Sequence, residues 1–212
     1  MLLELERNAV VRYAKKMLTT GLVVGTGGNI SIFNRKENLL AITPGSRNYE
    51  ELTPEDIMVM SLDGKVHEGK GKPSSELQLH TVFYKNRPDI HAVVHTHSFY
   101  ASSLACMNRE LPAIHYLIAS AEGNVRCAPY ATFGTSELAK NALEGMENRK
   151  SVLLANHGLV SGARTIEQAF SIASNIEFIA GLYLTALAAG QTPTILSPEE
   201  VKNLNSQFTA YH

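Results

Sequence analysis

Two histidines separated by a single residue, His95 and His97, stand at the end of an apolar, β-branched stretch. In a β-strand, residues i and i+2 point to the same face, so both imidazoles can reach one point while Thr96 faces away. Hydrogen-bonded strand histidines give the same pattern. Because binding sites gather where rigid strands open into loops, the position at a strand end favours a metal ligand pair.

A third histidine, His157, follows a second apolar strand-like segment and precedes Gly158. A lone histidine before glycine is more often structural. Three imidazoles with one carboxylate or water, however, suit a catalytic zinc that keeps a coordination position open for substrate. The absence of a cysteine cluster argues against a purely structural zinc. The other histidines lack comparable spacing and are predicted to be structural or exposed: His67, His80, His91, His115 and His212.

Two segments could hold an anion. Gly25-Thr-Gly-Gly-Asn29 follows a predicted helix and leads into a strand, so it matches neither the dinucleotide fingerprint nor the P-loop, and a plain turn is the simpler interpretation. Pro73-Ser-Ser-Glu76 begins a predicted helix, where free N–H groups and the helix dipole favour anions. Serine capping and a first-turn glutamate explain the same residues. The residues alone leave both interpretations open.

The elements that must position these residues follow from hydrophobic periodicity. Helices are predicted over residues 3–20, 74–86, 136–143 and 165–189, and the apolar segment 172–190, despite Asn175 and Glu177, is interpreted as a core helix. Strands are predicted over residues 30–33, 39–42, 57–61, 90–97 and 151–155. Strands and helices alternate without a regular βαβ order, which indicates an α/β or α+β fold with a mixed or antiparallel central sheet.

Length and charge exclude several classes of protein. The 212 residues suffice for one domain, and 19 basic and 20 acidic residues give a formal net charge of −1. No basic stripe suits nucleic acid, and no segment reaches the ~20 apolar residues of a membrane span or resembles a signal peptide. The two cysteines are too few for a disulfide framework and are expected to be buried thiols of a cytoplasmic protein.

Six segments together resemble the class II aldolase/adducin family, and most nearly its bacterial L-fuculose-1-phosphate aldolases. The resemblance runs over about residues 7–211. The segments are Gly25-Thr-Gly-Gly-Asn-Ile-Ser31, Pro73-Ser-Ser-Glu76, Val94-His-Thr-His97, Pro112-Ala-Ile-His-Tyr116, Cys127-Ala-Pro-Tyr-Ala-Thr-Phe-Gly-Thr135 and Asn156-His-Gly158.

The resemblance implies a single α/β domain over residues 1–212, with a mostly antiparallel central sheet flanked by helices, and a homotetramer with active sites between subunits. It implies one zinc ion, or another divalent ion, per chain. It also implies that Glu76 is a further ligand and the catalytic base, that Tyr116 donates a proton in a neighbouring site, and that Tyr211 closes over substrate. The implied metal ligands are His95, His97, His157 and Glu76, and the implied phosphate-binding residues are Thr26, Asn29, Thr43, Ser74 and Ser75.

Two departures from the family pattern stand out. The family usually has Thr-Pro-(Ser/Thr)-Gly where this chain has Thr43-Pro44-Gly45-Ser46, so the hydroxyl and the glycine are exchanged. Phosphate contacts at Gly45 and Ser46 are therefore in question. The sequence also stops just after Tyr211, which shortens the mobile tail expected from relatives.

The activity implied by the resemblance is reversible cleavage of L-fuculose 1-phosphate, or a close relative, to dihydroxyacetone phosphate and L-lactaldehyde. The alternatives are an L-ribulose-5-phosphate 4-epimerase, which typically carries Asp where Glu76 stands, and a methylthioribulose-1-phosphate dehydratase. A non-catalytic, adducin-like interaction domain is a further alternative. The three histidines and Glu76 disfavour it, because such domains have lost the metal histidines.

Overall fold

The structure, a computed structural model, describes residues 1–211, with side chains described as far as residue 208. Its helices are α1 (Glu4–Thr19), α2 (Leu77–Asn86), α3 (Phe99–Cys106), α4 (Ser136–Met146), α5 (Ile166–Ala188) and α6 (Pro198–Tyr211). Its strands are β1 (Asn29–Asn34), β2 (Leu39–Ile42), β3 (Met58–Met60), β4 (Val66–Glu68), β5 (Ala92–Thr96), β6 (Cys127–Ala128), β7 (Ser151–Leu154) and β8 (Gly158–Ala163). Short 3₁₀ helices cover Tyr49–Glu51, Pro54–Asp56 and Tyr116–Ala121.

One sheet contains all eight strands, in the order β4-β3-β2-β1-β5-β8-β7-β6. Every neighbouring pair is antiparallel except β6 and β7, which are parallel. The predicted α/β fold with a mixed, mostly antiparallel central sheet is therefore confirmed. Strand β5 lies at the centre of the sheet, between β1 and β8, and it carries His95.

Helices cover both faces of the sheet, and alternate residues of each strand enter different cores. Val94 belongs to the core beneath α1, α3 and α5, whereas Val93 belongs to the core beneath α2 and α4. The side chain of His95 shares its face with Val93, as the alternation of a strand requires. The histidine face of β5 is thus the face that α2 covers.

Helix α5 confirms the core-helix interpretation. It is long and apolar enough to cross a membrane by length and composition, but its apolar stripe is buried against β5, β8 and α3. The two polar residues that interrupt its apolar segment, Asn175 and Glu177, have hydrogen-bond partners inside the protein. Glu177 accepts hydrogen bonds from the backbone N–H groups of Tyr100 and Ala101 at the start of α3, and Asn175 donates to Ser120.

The structure differs from the sequence-based predictions in the start of one helix, in several additional elements and in the burial of the cysteines. Helix α2 begins at Leu77 rather than at Ser74, because the Ser74 hydroxyl accepts a hydrogen bond from the Glu76 N–H and holds residues 74–76 in a capping turn. Strands β4, β6 and β8 and helices α3 and α6 were not predicted. Both cysteines are free thiols, but neither is buried as predicted, since Cys106 is exposed and Cys127 is half-buried.

Candidate metal centre

Four side chains from three separate parts of the chain meet where the central strands of the sheet end. His95 and His97 come from the end of β5, and His157 stands in the turn between β7 and β8. The turn is made by Asn156, which adopts a left-handed conformation with φ of 54°. Glu76 is the residue immediately before α2, so it reaches the same point from the covering helix.

The ligand atoms of these four residues converge, all lying within 4.8 Å of one another. His95 Nε2 is 3.0 Å from His97 Nε2 and 3.2 Å from His157 Nε2. The two carboxylate oxygens of Glu76 face different histidines, Oε2 at 3.3 Å from His95 Nε2 and Oε1 at 3.3 Å from His157 Nε2. The four residues form a cluster that can hold one metal ion.

The hydrogen bonding of the cluster fits a cation. His95 Nδ1 lies 2.9 Å from the Leu159 carbonyl oxygen, which can only accept, so Nδ1 carries the hydrogen and Nε2 turns a lone pair towards the cluster. That lone pair faces two other imidazole nitrogens. Glu76 Oε1 is buried and accepts no hydrogen bond. A divalent ion would satisfy all of these atoms, and nitrogen and oxygen ligands of this kind suit zinc.

The protonation states also suit metal binding. Burial alone would raise the pKa of Glu76, but the facing imidazoles of His95 and His157 and the hydrogen bond from Asn29 bring that pKa well below its usual range. Burial, with the neighbouring His95, lowers the pKa of His97 to about 3 and that of His157 to about 4. At neutral pH Glu76 is therefore a carboxylate and His97 and His157 are neutral imidazoles, the forms that bind metals.

Two glycines allow backbone to approach the histidines closely. A Cβ on Gly27 would lie 2.8 Å from His97 Nδ1, so the glycine turn packs directly against that imidazole. A Cβ on Gly158 would lie 2.3 Å from the Thr96 carbonyl oxygen and 3.0 Å from His97 Cδ2. All of these distances are shorter than ordinary van der Waals contacts. A larger residue at Gly27 or Gly158 would therefore displace the His97 side chain or the backbone beside it.

The residues predicted to bind phosphate come from three loops around this centre. Gly45 N–H donates to the Lys72 carbonyl at 3.0 Å, which joins the loop after β2 to the turn before α2. Tyr49 donates to the Gly28 carbonyl at 2.6 Å and ties the glycine turn to the same region. Thr43 and Ser74 are buried, whereas Thr26 and Ser75 are exposed.

The exchanged pair after Thr43 has a backbone consequence. Ser46 adopts a left-handed conformation with φ of 56°, at the position where the family pattern has glycine. Ser46 therefore adopts a positive φ, a backbone conformation that glycine tolerates better than serine does.

Asn29 occupies a different position from the other predicted phosphate residues. Its side chain is buried, donates to Glu76 Oε2 at 2.8 Å and accepts from His80. His80 is itself completely buried, with further contacts to Ser31 and, through it, to Tyr84. The sequence alone predicts only a structural or exposed role for His80. The spacing of Glu76, His80 and Tyr84, one helical turn apart each, was the signal that could have grouped them.

The structure describes the surroundings of only one of the two predicted catalytic tyrosines, Tyr116. Tyr116 is 51% exposed and begins the 3₁₀ helix, with its ring against His115 at 4.7 Å and Phe208 at 6.2 Å. Among the described residues, no hydrogen bond or ring contact joins it to the four-residue cluster. Tyr211 is the last residue of α6, and its side chain lies outside the described residues. Both roles remain predictions.

An α/β fold that brings three imidazoles and one carboxylate together at the end of a central strand, with His97 and His157 partly exposed, defines a candidate metalloenzyme. Comparison with known proteins gives the family. Residues 8–184 match the family described as Class II Aldolase and Adducin N-terminal domain. The chain therefore belongs to the class II aldolase/adducin family.

The relatives are aldolases. The chain is 53% identical over 211 residues to 5-deoxy-D-ribulose 1-phosphate aldolase of Bacillus thuringiensis serovar kurstaki, covering 100% of this chain and 99% of the relative. It is 42% identical to L-fuculose phosphate aldolase of Escherichia coli K12, covering 98% and 97%. A solved structure of L-fuculose 1-phosphate aldolase superposes with a TM-score of 0.93 and 44% identity, covering 96% of each chain. The expectation of a class II aldolase, a lyase, is confirmed.

Proposed function

We propose that the protein is a zinc-dependent aldolase that reversibly cleaves a deoxy-ketose 1-phosphate to dihydroxyacetone phosphate and a short aldehyde. The observation that carries the proposal is the cluster of three imidazole nitrogens around the two carboxylate oxygens of Glu76. Cleavage of the C3–C4 bond leaves an enediolate, and a bound divalent ion would stabilise its negative charge. His95, His97, His157 and Glu76 would hold one ion per chain.

Glu76 is the group that can move the proton on carbon. In the condensation direction its carboxylate takes a proton from the hydroxyl-bearing carbon of dihydroxyacetone phosphate, and the carbanion attacks the aldehyde carbonyl. The new alkoxide then accepts a proton, which we assign to Tyr116 of a neighbouring subunit. Cleavage runs through the same transfers in reverse. The depressed pKa of Glu76 keeps its side chain ionised at neutral pH, and the ionised carboxylate is the form that can accept a proton.

The phosphate would bind at the turn before α2, where the helix dipole favours an anion. Ser75 and Thr26 offer exposed hydroxyl groups there. Buried Thr43 and Ser74 hold the loops, since the Thr43 hydroxyl accepts from the Ile30 N–H and Ser74 accepts from the Glu76 N–H. One amide hydrogen of Asn29 remains for the substrate.

The aldehyde product distinguishes the two substrates that we propose. L-Fuculose 1-phosphate, expected from the sequence, would release L-lactaldehyde, whereas 5-deoxy-D-ribulose 1-phosphate would release acetaldehyde. The relative that is 53% identical is named for the second substrate and the relative at 42% for the first. Both ketoses share the dihydroxyacetone phosphate half, which the residues around Glu76 would recognise.

We also propose a homotetramer with active sites at subunit interfaces, a single domain over residues 1–212 and a cytoplasmic location. The exposed Tyr116 supports the shared site, because its ring is 51% exposed and has no described contact with the cluster of its own chain. The two free thiols suit a reducing compartment. We propose no nucleic-acid or membrane partner.

The deciding experiment is an assay of purified, zinc-loaded protein with L-fuculose 1-phosphate, 5-deoxy-D-ribulose 1-phosphate and L-ribulose 5-phosphate. Release of dihydroxyacetone phosphate from either of the first two supports the proposal, and the ratio of kcat/KM values selects the substrate. Conversion of L-ribulose 5-phosphate to its 4-epimer, without release of dihydroxyacetone phosphate from the other two, would assign the epimerase activity instead.

A further inference from the structure

A line of buried polar side chains leads away from Glu76 between α2 and β1. Glu76, His80 and Tyr84 are spaced by four residues along α2, so they share one face of the helix. Asn29 and Ser31 are spaced by two residues along β1, so they share one face of the strand. The two sets interleave in the order Glu76, Asn29, His80, Ser31, Tyr84.

The direction of every hydrogen bond in this line follows from the carboxylate. Glu76 can only accept, so Asn29 must present its amide hydrogen, at 2.8 Å, and its oxygen must face His80. That oxygen accepts from His80 Nε2–H, which leaves Nδ1 of the neutral imidazole to accept from the Ser31 hydroxyl at 2.7 Å. Because the Ser31 hydrogen faces His80, the Ser31 hydroxyl accepts from the Tyr84 hydroxyl at 2.6 Å, and the same Tyr84 hydroxyl lies 3.1 Å from the Ser31 carbonyl oxygen, its second acceptor.

Every donor in the line therefore points towards Glu76. Bonds aligned head to tail polarise one another, and each strengthens the next in a buried environment. His80 and Ser31 are fully buried, and Asn29 is 6% exposed, so water does not compete for these bonds. Burial lowers the pKa of His80 to about 3, in keeping with the neutral imidazole that the line requires.

We propose that His80 is a positioning residue that fixes the Asn29 amide and, through it, the orientation of the Glu76 carboxylate. The inference rests on the proposed function, since it gives His80 a purpose in proton transfer at Glu76. A proton cannot pass along the line, because the Asn29 amide between His80 and Glu76 does not readily gain or lose one. His80 acts by orientation alone.

The geometry explains why orientation matters at this residue. Each oxygen of Glu76 faces a different histidine at 3.3 Å, so a rotation of the carboxylate would lose one of the two contacts. Asn29 can adopt two amide orientations that fill the same space. The His80 Nε2–H holds the amide oxygen on the side away from Glu76, and the reversed amide would turn its oxygen towards the carboxylate and its N–H₂ group towards the His80 N–H.

Two substitutions of His80 separate positioning from packing. His80→Leu keeps a similar volume but removes the donor, whereas His80→Gln places an amide N–H close to the former Nε2. With zinc and dihydroxyacetone phosphate saturating, we expect His80→Leu to lower the rate of carbon–proton exchange with solvent by about 10–100-fold, the usual cost of losing such a supporting residue. His80→Gln should recover most of that loss at a similar melting temperature.

Ser151→Ala is the matched control, because Ser151 is fully buried and bonded to the Ser161 hydroxyl at 2.7 Å, at the other end of β7 from His157. It should lower the melting temperature and leave exchange unchanged. Equal exchange rates in wild type, His80→Leu and His80→Gln would overturn the proposal. Equally reduced rates in both variants, in step with their melting temperatures, would also overturn it and leave His80 a packing residue.

A spectroscopic test needs neither substrate nor metal. In ¹⁵N-histidine-labelled protein, the signals absent from His80→Leu identify His80, and the proposal requires a hydrogen on Nε2 and none on Nδ1 at neutral pH. A hydrogen on Nδ1 would overturn the proposal whatever the enzyme's substrate. If wild-type protein fails to exchange the dihydroxyacetone phosphate proton while His80 has the required tautomer, the proposed aldolase function fails and the positioning of the Asn29 amide stands.

Discussion

A methyl group at Gly27 tests the metal centre with little disturbance of the backbone. In Gly27→Ala the added Cβ would lie 2.8 Å from His97 Nδ1, whereas ordinary contacts begin near 3.4 Å. The imidazole must therefore retreat by about 0.6 Å, which exceeds the roughly 0.2 Å range of metal–ligand distances in well-formed sites. The φ angle of Gly27 lies outside the left-handed region, so alanine adds no backbone strain there.

Gly25→Ala is the complementary control. Gly25 has a φ of 62°, yet a Cβ there would meet no atom within 4 Å. Alanine in this conformation costs about 1–2 kcal/mol through strain alone. The two variants should therefore have opposite profiles. Gly27→Ala should lose metal affinity by about 10–100-fold with little loss of apoprotein stability, and Gly25→Ala should lose stability and keep its metal affinity.

The assay is competition for zinc with a chelator of known affinity, together with urea denaturation of the metal-free proteins. Activity at saturating zinc provides a second measure, because a displaced His97 would also move the neighbouring ligands. Wild-type zinc affinity in Gly27→Ala would refute the placement of His97 against the glycine turn. A parallel loss of affinity in both variants would show that the turn acts through backbone strain rather than through contact with His97.

Three further predictions concern individual groups. Glu76→Gln should fold and bind zinc, but it should lose exchange of the dihydroxyacetone phosphate proton by about 10²–10⁴-fold, and wild-type exchange would transfer the base role elsewhere. The pKa of buried His157 is about 4 and that of His97 about 3, so the unfolded chain binds more protons below pH 6.5. The free energy of unfolding of the metal-free protein should then fall by up to about 1.4 kcal/mol per pH unit for each histidine as the pH falls from 6.5 towards 4. In urea titrations, His97→Ala should reduce this dependence of the unfolding free energy on pH. An unchanged dependence would contradict the burial of His97. Mixing Tyr116→Phe and Glu76→Gln subunits should restore part of the activity if the site is shared, whereas hybrids no more active than the parents would refute a shared site.

The strands around the metal centre could be predicted because local patterns determine them. Apolar alternation places His95 and His97 on one face of β5, and Val93 and Val94 enter opposite cores as that alternation requires. Strand β8 was hidden because Gly158 and Gly162 interrupt its apolar residues. Gly162 is needed there because a Cβ would collide with Ile90, a contact between distant parts of the chain that no local pattern contains.

The polar line behind Glu76 could not be predicted for the same reason. The spacing of Glu76, His80 and Tyr84 is visible on a helical projection, but it does not indicate which strand the helix covers. Asn29 and Ser31 are assigned to that face only once β1 pairs with β5, with Asn29 opposite His95. Likewise, the polar residue Glu177 in an apolar helix has an evident purpose only when the start of α3 lies against it.

The separation of the metal ligands along the chain has a consequence for biosynthesis. His95 and His157 are 62 positions apart, and antiparallel pairing of β5 with β8 brings them together. A nascent chain cannot complete the four-residue cluster until His157 has left the ribosome, so an ion bound there would stabilise the sheet only after both β5 and β7 have been synthesised. We expect the apoprotein to fold first and acquire its metal afterwards. A metal-starved cell would then accumulate a folded, inactive reserve that a later supply of zinc could activate without new synthesis.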